Sequence, residues 1–237
     1  MPSQDALFDK LNAVRTEDGL VDFLRRLSDY FGFMGFMLFS IPTLADEQIL
    51  GKIELSNLPR GLIDSYDELG LLKNSQIFET LRRSTVPFTW STEALNTNRP
   101  SEVAKAAIRL FAEYNITRSA FIPVHGPHGA RASLGFLGNR YDLTHTELGD
   151  LAIFAAHAYN IYSNLKNDLV LPESLLSPRQ LEVLHWAANG KTSGEIGSIL
   201  SLSEHTVNTY MNNAMRKLDC VNRVQLVAKA LRMRLIG

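Results

Sequence analysis

The chain has 237 residues, 45% of them hydrophobic and 21% charged, and a formal net charge of −1. That balance excludes a disordered chain, and the length allows two modest domains. The longest apolar stretch, Phe31–Ile41, is too short to cross a bilayer, Met1–Lys10 lacks the basic-then-apolar order of a secretory signal, and the lone Cys220 excludes an internal disulfide, so a cytoplasmic protein with no membrane partner is expected.

In chain order, Leu7, Leu11, Phe23, Leu24 and Leu27 predict a leading helical segment, followed by strands over Phe33–Phe39 and Ile49–Leu55. Helical periodicity returns at Leu62–Leu72, Ile77–Arg83 and Glu102–Tyr114. Two further strands, Ser119–Val124 and Ala132–Leu137, are joined by a Gly- and Pro-rich turn at Gly126–Gly129. This order predicts an α/β/α sandwich. A long helix then starts at the Thr144 and Glu147 capping pair and carries Leu148, Leu151, Ala155, Ala158, Tyr162 and Leu165, close to a seven-residue repeat. Half of that stripe is expected to close the sandwich and the rest to be available to a second subunit; periodicity leaves a purely internal role open. Asn167–Ser174, polar and containing Pro172, reads as a linker between domains at 1–166 and 175–237.

Beyond the linker, Ser177 caps a helix with Pro178 at its first position and Gln180 three residues on, and Gly190 ends it. Thr192 and Glu195 repeat the cap for a helix through Ile196, Ile199 and Leu200, and the turn Ser201–Ser203 leads into a third helix. There Val207, Met211, Ala214 and Leu218 face inward, leaving His205, Asn208, Thr209, Asn212 and Arg216 outward. Asn suits paired hydrogen bonds to an adenine edge and Thr meets a thymine methyl, and a helix-turn-helix lays such a face in the major groove. The competing reading is an ordinary three-helix bundle with a solvated polar face. Charge separates in the same sense: residues 175–237 carry eight Lys and Arg against four Asp and Glu, a net of +4, and residues 1–174 carry −5. Base reading is assigned to Asn208, Thr209 and Asn212, with His205 beside them. Phosphate positioning falls to Lys191, Thr192, Arg216, Lys217 and Arg223, and Thr206 is counted with this DNA-binding set.

The motifs Leu176-Ser177-Pro178-Arg179, Leu184, Ala188-Asn189-Gly190-Lys191-Thr192, Glu195-Ile196, Leu200-Ser201-Leu202-Ser203, Thr206-Val207 and Arg216-Lys217-Leu218 resemble the DNA-binding domain of LuxR-type transcription regulators. Residues 221–233 supply the fourth helix of that module. Gln180 departs from the family's usual Glu, and Tyr210 from a frequent His or Lys. The resemblance extends over almost the whole chain. Asn57-Leu58-Pro59, Tyr66, Pro87-Phe88-Thr89-Trp90 and Ile122-Pro123-Val124 are similar, in order and spacing, to the acyl-homoserine-lactone-binding domain of the quorum-sensing branch. It implies an α+β chain: an N-terminal α/β/α sandwich and a C-terminal all-α four-helix helix-turn-helix domain.

By the same resemblance the ligand site falls at Leu62, Tyr66, Ser75 and Trp90, and the autoinducer-binding domain is atypical there. Leu62 stands where the family has a Trp donating to the lactone carbonyl, Ser75-Gln76 where it has an Asp-Pro pair, Ser119 where it has Gly, and Gly135 where it has Ser or Thr. Each lost hydrogen bond removes about 0.5–3 kcal/mol, so the usual lactone is expected to bind poorly. Tyr66 and Trp90 are open to a different small molecule or to a core role.

The implied protein is a regulator acting as a homodimer on double-stranded DNA, with RNA polymerase as a further partner the resemblance allows. The alternative is an anti-activator that heterodimerises with a related regulator. A phosphorylated receiver domain is disfavoured, because Phe33–Phe39 leads into Ser40-Ile41-Pro42 rather than acidic residues. No cofactor, metal or catalytic group is expected: His125 and His128 lack Cys or acidic partners at ligand spacing, and there is no phosphate loop, G-x-S-x-G or base beside Cys220.

Overall fold

The leading helical segment is two helices in the computed structural model, α1 (Gln4–Asn12) and α2 (Glu17–Tyr30). Thr16 divides them, because its hydroxyl accepts from the amide of Gly19 at 3.1 Å and caps the second. The structure describes residues 4–96, 101–126, 130–166, 176–233 and 235–236. Two compact units divide the chain, one drawn from residues 1–126 and 130–166 and the other chiefly from 167–237.

The first unit is built on one sheet. Strands β1 (Gly35–Ser40), β2 (Ile53–Ser56), β3 (Phe88–Ser91), β4 (Arg118–His125) and β5 (Arg131–Gly138) pair antiparallel in the order β2-β1-β5-β4-β3. The strand predicted over Ile49–Leu55 is shorter, since the carboxylate of Asp67 accepts from the amides of Ile49 and Leu50 at 2.8 and 3.1 Å and holds Leu50–Lys52 in a 3-10 turn. Edge strand β3 has only four residues, too few for a two-residue period to stand out from the sequence.

Strand alternation sorts side chains to two cores. Phe36, Leu38, Ala120, Ile122, Val124, Leu134 and Phe136 face α1, α2 and α6 (His145–Lys166). Met37, Phe39, Phe121 and Leu137 face α3 (Arg60–Glu68), α4 (Gln76–Arg83) and α5 (Ser101–Glu113). Helix α3 stops short of the predicted Leu72, because Gly70 and Asn74 adopt left-handed φ of 60° and 56°. Gly138 admits no side chain, as a Cβ there would lie 2.6 Å from the backbone nitrogen of Met34.

Thr144 and Glu147 cap α6 reciprocally at 2.8 and 3.2 Å. Its heptad-like stripe is used within the unit: Leu151, Ala155, Ala158 and Tyr162 are buried in the first core, and Leu148 packs on the same cluster. The internal role open from the sequence accounts for these five positions, whereas Leu165, partly exposed, lies outside that cluster. Tyr162 donates to Glu54 on β2 at 2.7 Å, and burial, with that carboxylate beside it, pushes its hydroxyl well above the ordinary phenol range. The expected linker, Asn167–Ser174, and the turn residues 127–129 lie outside the described residues.

The second unit is all-helical: α7 (Pro178–Ala188), α8 (Ser193–Leu200), α9 (Glu204–Lys217) and α10 (Arg223–Arg232). Leu176, Val183, Leu184, Ile196, Val207, Met211, Ala214, Leu218, Leu226 and Ala230 form its core. Ser201, at a left-handed φ of 55°, ends α8. No described helix is long and apolar enough to cross a membrane.

Candidate functional site

Three serine and threonine caps aim the helices of the second unit. Ser177 and Gln180 cap α7 reciprocally at 2.9 and 3.3 Å, and Thr192 and Glu195 cap α8 at 2.7 and 3.3 Å. The amide of Thr192, then its hydroxyl, holds the Glu195 carboxyl below the usual carboxylate range. The third cap, unread from the sequence, is Ser203, which accepts from the amide of Thr206 at 3.0 Å and pairs with its hydroxyl at 2.8 Å. Thr206 is thus engaged in starting α9. The turn between α8 and α9 is tight enough that a Cβ on Gly197 would lie 2.6 Å from the carbonyl oxygen of Leu202.

Helix α9 buries Val207, Met211 and Ala214 and exposes His205, Asn208, Thr209, Asn212, Arg216 and Lys217. The Thr209 hydroxyl donates to the carbonyl of His205 at 2.9 Å. Asn208 is held from behind: its Oδ1 accepts from Ser193 Oγ at 2.7 Å, and Ser193 Oγ accepts from Arg223 at 3.2 Å. Arg223 also donates to the carbonyl of Lys191. Its guanidinium thus bridges α10 to the start of α8. With Oδ1 occupied, the amide N–H groups of Asn208 are the ones left for a partner.

Lys217 donates to Gln180 Oε1 at 3.2 Å, and together with Ser177, Asn213 and Arg216 these residues line an open polar hollow beside α9. Gln180 is 5% exposed. Lys191 lies 3.9 Å from Glu195, with both side chains about half exposed.

In the first unit a cavity of about 50 Å³ lies between the sheet and α3–α5. Leu62, Tyr66 and Trp90 line it, with Met37, Ile49, Leu58, Ile63, Ile77, Phe78, Phe111, Ser119, Phe121 and Leu137. Ser75 does not; it is buried at the start of α4. Tyr66 donates to the carbonyl of Leu71 at 3.1 Å, and Trp90 meets Phe111 edge-on with ring centres 5.7 Å apart. At Gly135 a Cβ would sit 2.9 Å from the Phe121 ring, so that ring takes the space a side chain on β5 would need.

Ile77 and Trp90 also line an open groove with Gln76, Thr80, Glu93, Arg118 and Asp142. Arg118 lies 2.7 Å from Asp142 and 3.6 Å from Glu93, and the hydrogen bond to Asp142 chiefly raises its pKa. Ser119, named from the sequence as a departure but not as a site residue, is the one lining residue whose buried side-chain oxygen has no hydrogen-bond partner. Among the described residues no group of three or more His, Cys, Asp or Glu is placed to hold a metal; His128 lies outside them.

Residues 16–162 match the family described as "Autoinducer binding domain", and residues 174–230 match "Bacterial regulatory proteins, luxR family". The chain is 31% identical to the HTH-type quorum sensing-dependent transcriptional regulator RpaR of Rhodopseudomonas palustris, over 86% of this chain and 83% of that one. It is 27% identical to the transcriptional activator protein BjaR1 of Bradyrhizobium diazoefficiens, over 91% and 90% of the two chains. The crystal structure of Escherichia coli SdiA shares the fold, with a TM-score of 0.75 at 19% identity over 98% of this chain and 97% of that one. A five-stranded antiparallel α+β domain joined to a capped four-helix module, matched along most of its length, has one reading: this chain belongs to the LuxR family of quorum-sensing transcriptional regulators, DNA-binding proteins and not enzymes.

Proposed function

We propose that this regulator binds a two-fold duplex site as a homodimer, reading base edges in the major groove with the outer face of α9. The observation that carries this reading is the division of α9 into a buried apolar side and an exposed polar side bearing Asn208 and Asn212 one turn apart. Asn208, Thr209 and Asn212, with His205, meet bases; Lys191, Thr192, Arg216 and Lys217 position phosphates, and Thr206 supports them by fixing the first turn of α9.

Activation, through contact with RNA polymerase, is the mode favoured by the relative BjaR1, which is called an activator. A DNA partner favours a cytoplasmic location. An anti-activator has no use for an exposed, amide-bearing recognition helix, which argues against that alternative.

The first unit serves as sensor, with Leu62, Tyr66 and Trp90 at its cavity. Ser75, at the cap position of α4 without a side-chain cap hydrogen bond and off the cavity wall, is left out of the contact set. Apolar walls, with leucine at position 62, favour weak binding of the usual acyl-homoserine lactone. A mobility-shift assay with purified protein alone, on genomic fragments and with Asn208→Ala and Asn212→Ala, tests the DNA reading. Sequence-selective binding lost in both variants supports it, and selectivity unchanged in both sinks it.

A further inference from the structure

The sensor cavity contains an imbalance that names its ligand. Its wall is carbon almost throughout: the Tyr66 hydroxyl is turned onto the carbonyl of Leu71, and Phe111, Phe121 and Leu137 present rings and methyl groups. The exception is Ser119 on β4, a lining residue 2% exposed, whose buried Oγ has no hydrogen-bond partner. Buried hydroxyls are nearly always partnered, and one left bare destabilises the folded state.

Water is a poor occupant here, because a buried water needs two to four polar partners and this wall offers one. A charged ligand would be stripped of solvent with no counter-charge in the wall. An acyl-homoserine lactone would bury an amide and a lactone against a single hydroxyl. Size points the same way, since about 50 Å³ is far below the roughly 300–1,000 Å³ of pockets for drug-sized ligands. Ile77 and Trp90 line both this cavity and the polar groove.

Taking the first unit as a sensor, we propose that its ligand is a compact, uncharged molecule with an apolar body and one hydroxyl or carbonyl oxygen, which pairs with Ser119 Oγ. The serine both donates and accepts, so an alcohol or a ketone satisfies it. Position 119 then sets specificity: it selects for one polar atom at the sheet end of an otherwise apolar molecule.

The test uses the full chain with Trp186→Phe, so that Trp90, the other of its two tryptophans, reports from the cavity wall. Cyclohexanol and methylcyclohexane, matched in shape and differing in the hydroxyl, are titrated by Trp90 fluorescence against wild-type Ser119 and Ser119→Ala, with N-octanoyl-homoserine lactone alongside. Cyclohexanol should lose about three- to tenfold in affinity in Ser119→Ala while methylcyclohexane loses nothing. Without ligand, Ser119→Ala should melt about 2–4 °C higher, because it removes an unpartnered hydroxyl; this second readout also establishes that the variant folds.

Equal losses for both probes, or a lower melting temperature without ligand, overturn the role of Ser119. If the lactone binds while cyclohexanol does not, the ligand class is wrong but the sensor reading stands. If no compound changes Trp90 fluorescence or melting, both fail together.

Discussion

Asn212 is exposed on α9 with no side-chain partner among the described residues, whereas Asn208, one turn earlier, is oriented by Ser193 and through it by Arg223. The two amides therefore respond differently to change. Asn212→Ala should relax base preference, costing about 1–3 kcal/mol on the preferred site and little on random duplex. Lys217→Ala should weaken all sequences alike and reduce the salt slope by about one. Arg223→Ala separates the two accounts of that residue: discrimination should fall with the salt slope kept, whereas a phosphate contact would lower the slope. Titrations of labelled duplex at several salt concentrations measure all three. Gln180 adds a further case, since its neutral oxygen accepts from Lys217 and leaves the full positive charge for DNA. Gln180→Glu should neutralise that charge and reproduce the slope of Lys217→Ala. The outward set His205, Asn208, Thr209 and Asn212 was legible from helical spacing alone. The bonds of Arg223 to Ser193 and Lys191 were not, because its partners lie 30 and 32 residues away.

At the scale of elements, hydrogen bonds within three or four residues decide most boundaries, and these are what a sequence displays. The caps at Thr144, Ser177 and Thr192 were readable because donor and acceptor lie three residues apart. Asp67 holding the amides of Ile49 and Leu50 was not, because its partners are 17 and 18 residues away. Edge strand β3 escaped for a related reason: its identity rests on pairing Phe88–Ser91 with Arg118–Phe121, a tertiary fact. Thr192→Ala should cost about 1 kcal/mol in chemical denaturation by leaving the first turn of α8 uncapped. Glu195 gives the matching pH signature. Its folded pKa lies below the usual carboxylate value, so its support of the cap is complete above that value and is lost as pH falls through the lowered one. An NMR titration of its side chain should show the depressed value in the native chain and a smaller depression in Thr192→Ala, which keeps the backbone amide and loses the hydroxyl. Gly197→Ala should destabilise the second unit by about 1–3 kcal/mol, since the new methyl group meets the carbonyl of Leu202 in the turn that sets the angle of α9.

For the molecule as a whole, a net charge of −1 conceals an acidic stretch of −5 over residues 1–174 and a basic one of +4 over 175–237. Polyanion binding is thus directed to the helical unit, and the acidic sensor unit adds repulsion to any duplex held by the wrong face. Two units with separate cores, one with an apolar cavity and one with an exposed polar helix, divide sensing from reading. The fold class was legible because apolar periods of two and near 3.6 alternate along the chain. The cavity was not, because its thirteen lining residues come from positions 37 to 137 and no local pattern gathers them. The most direct test of the account is the affinity of the purified full-length protein for duplex DNA, selected by the protein from random sequence, as salt is raised. Log affinity should fall linearly with log salt, by about 0.9 per phosphate contact, and the selected duplex should outbind random sequence by about a thousandfold or more. Absence of salt-sensitive binding to any duplex, as monomer or dimer, would contradict it.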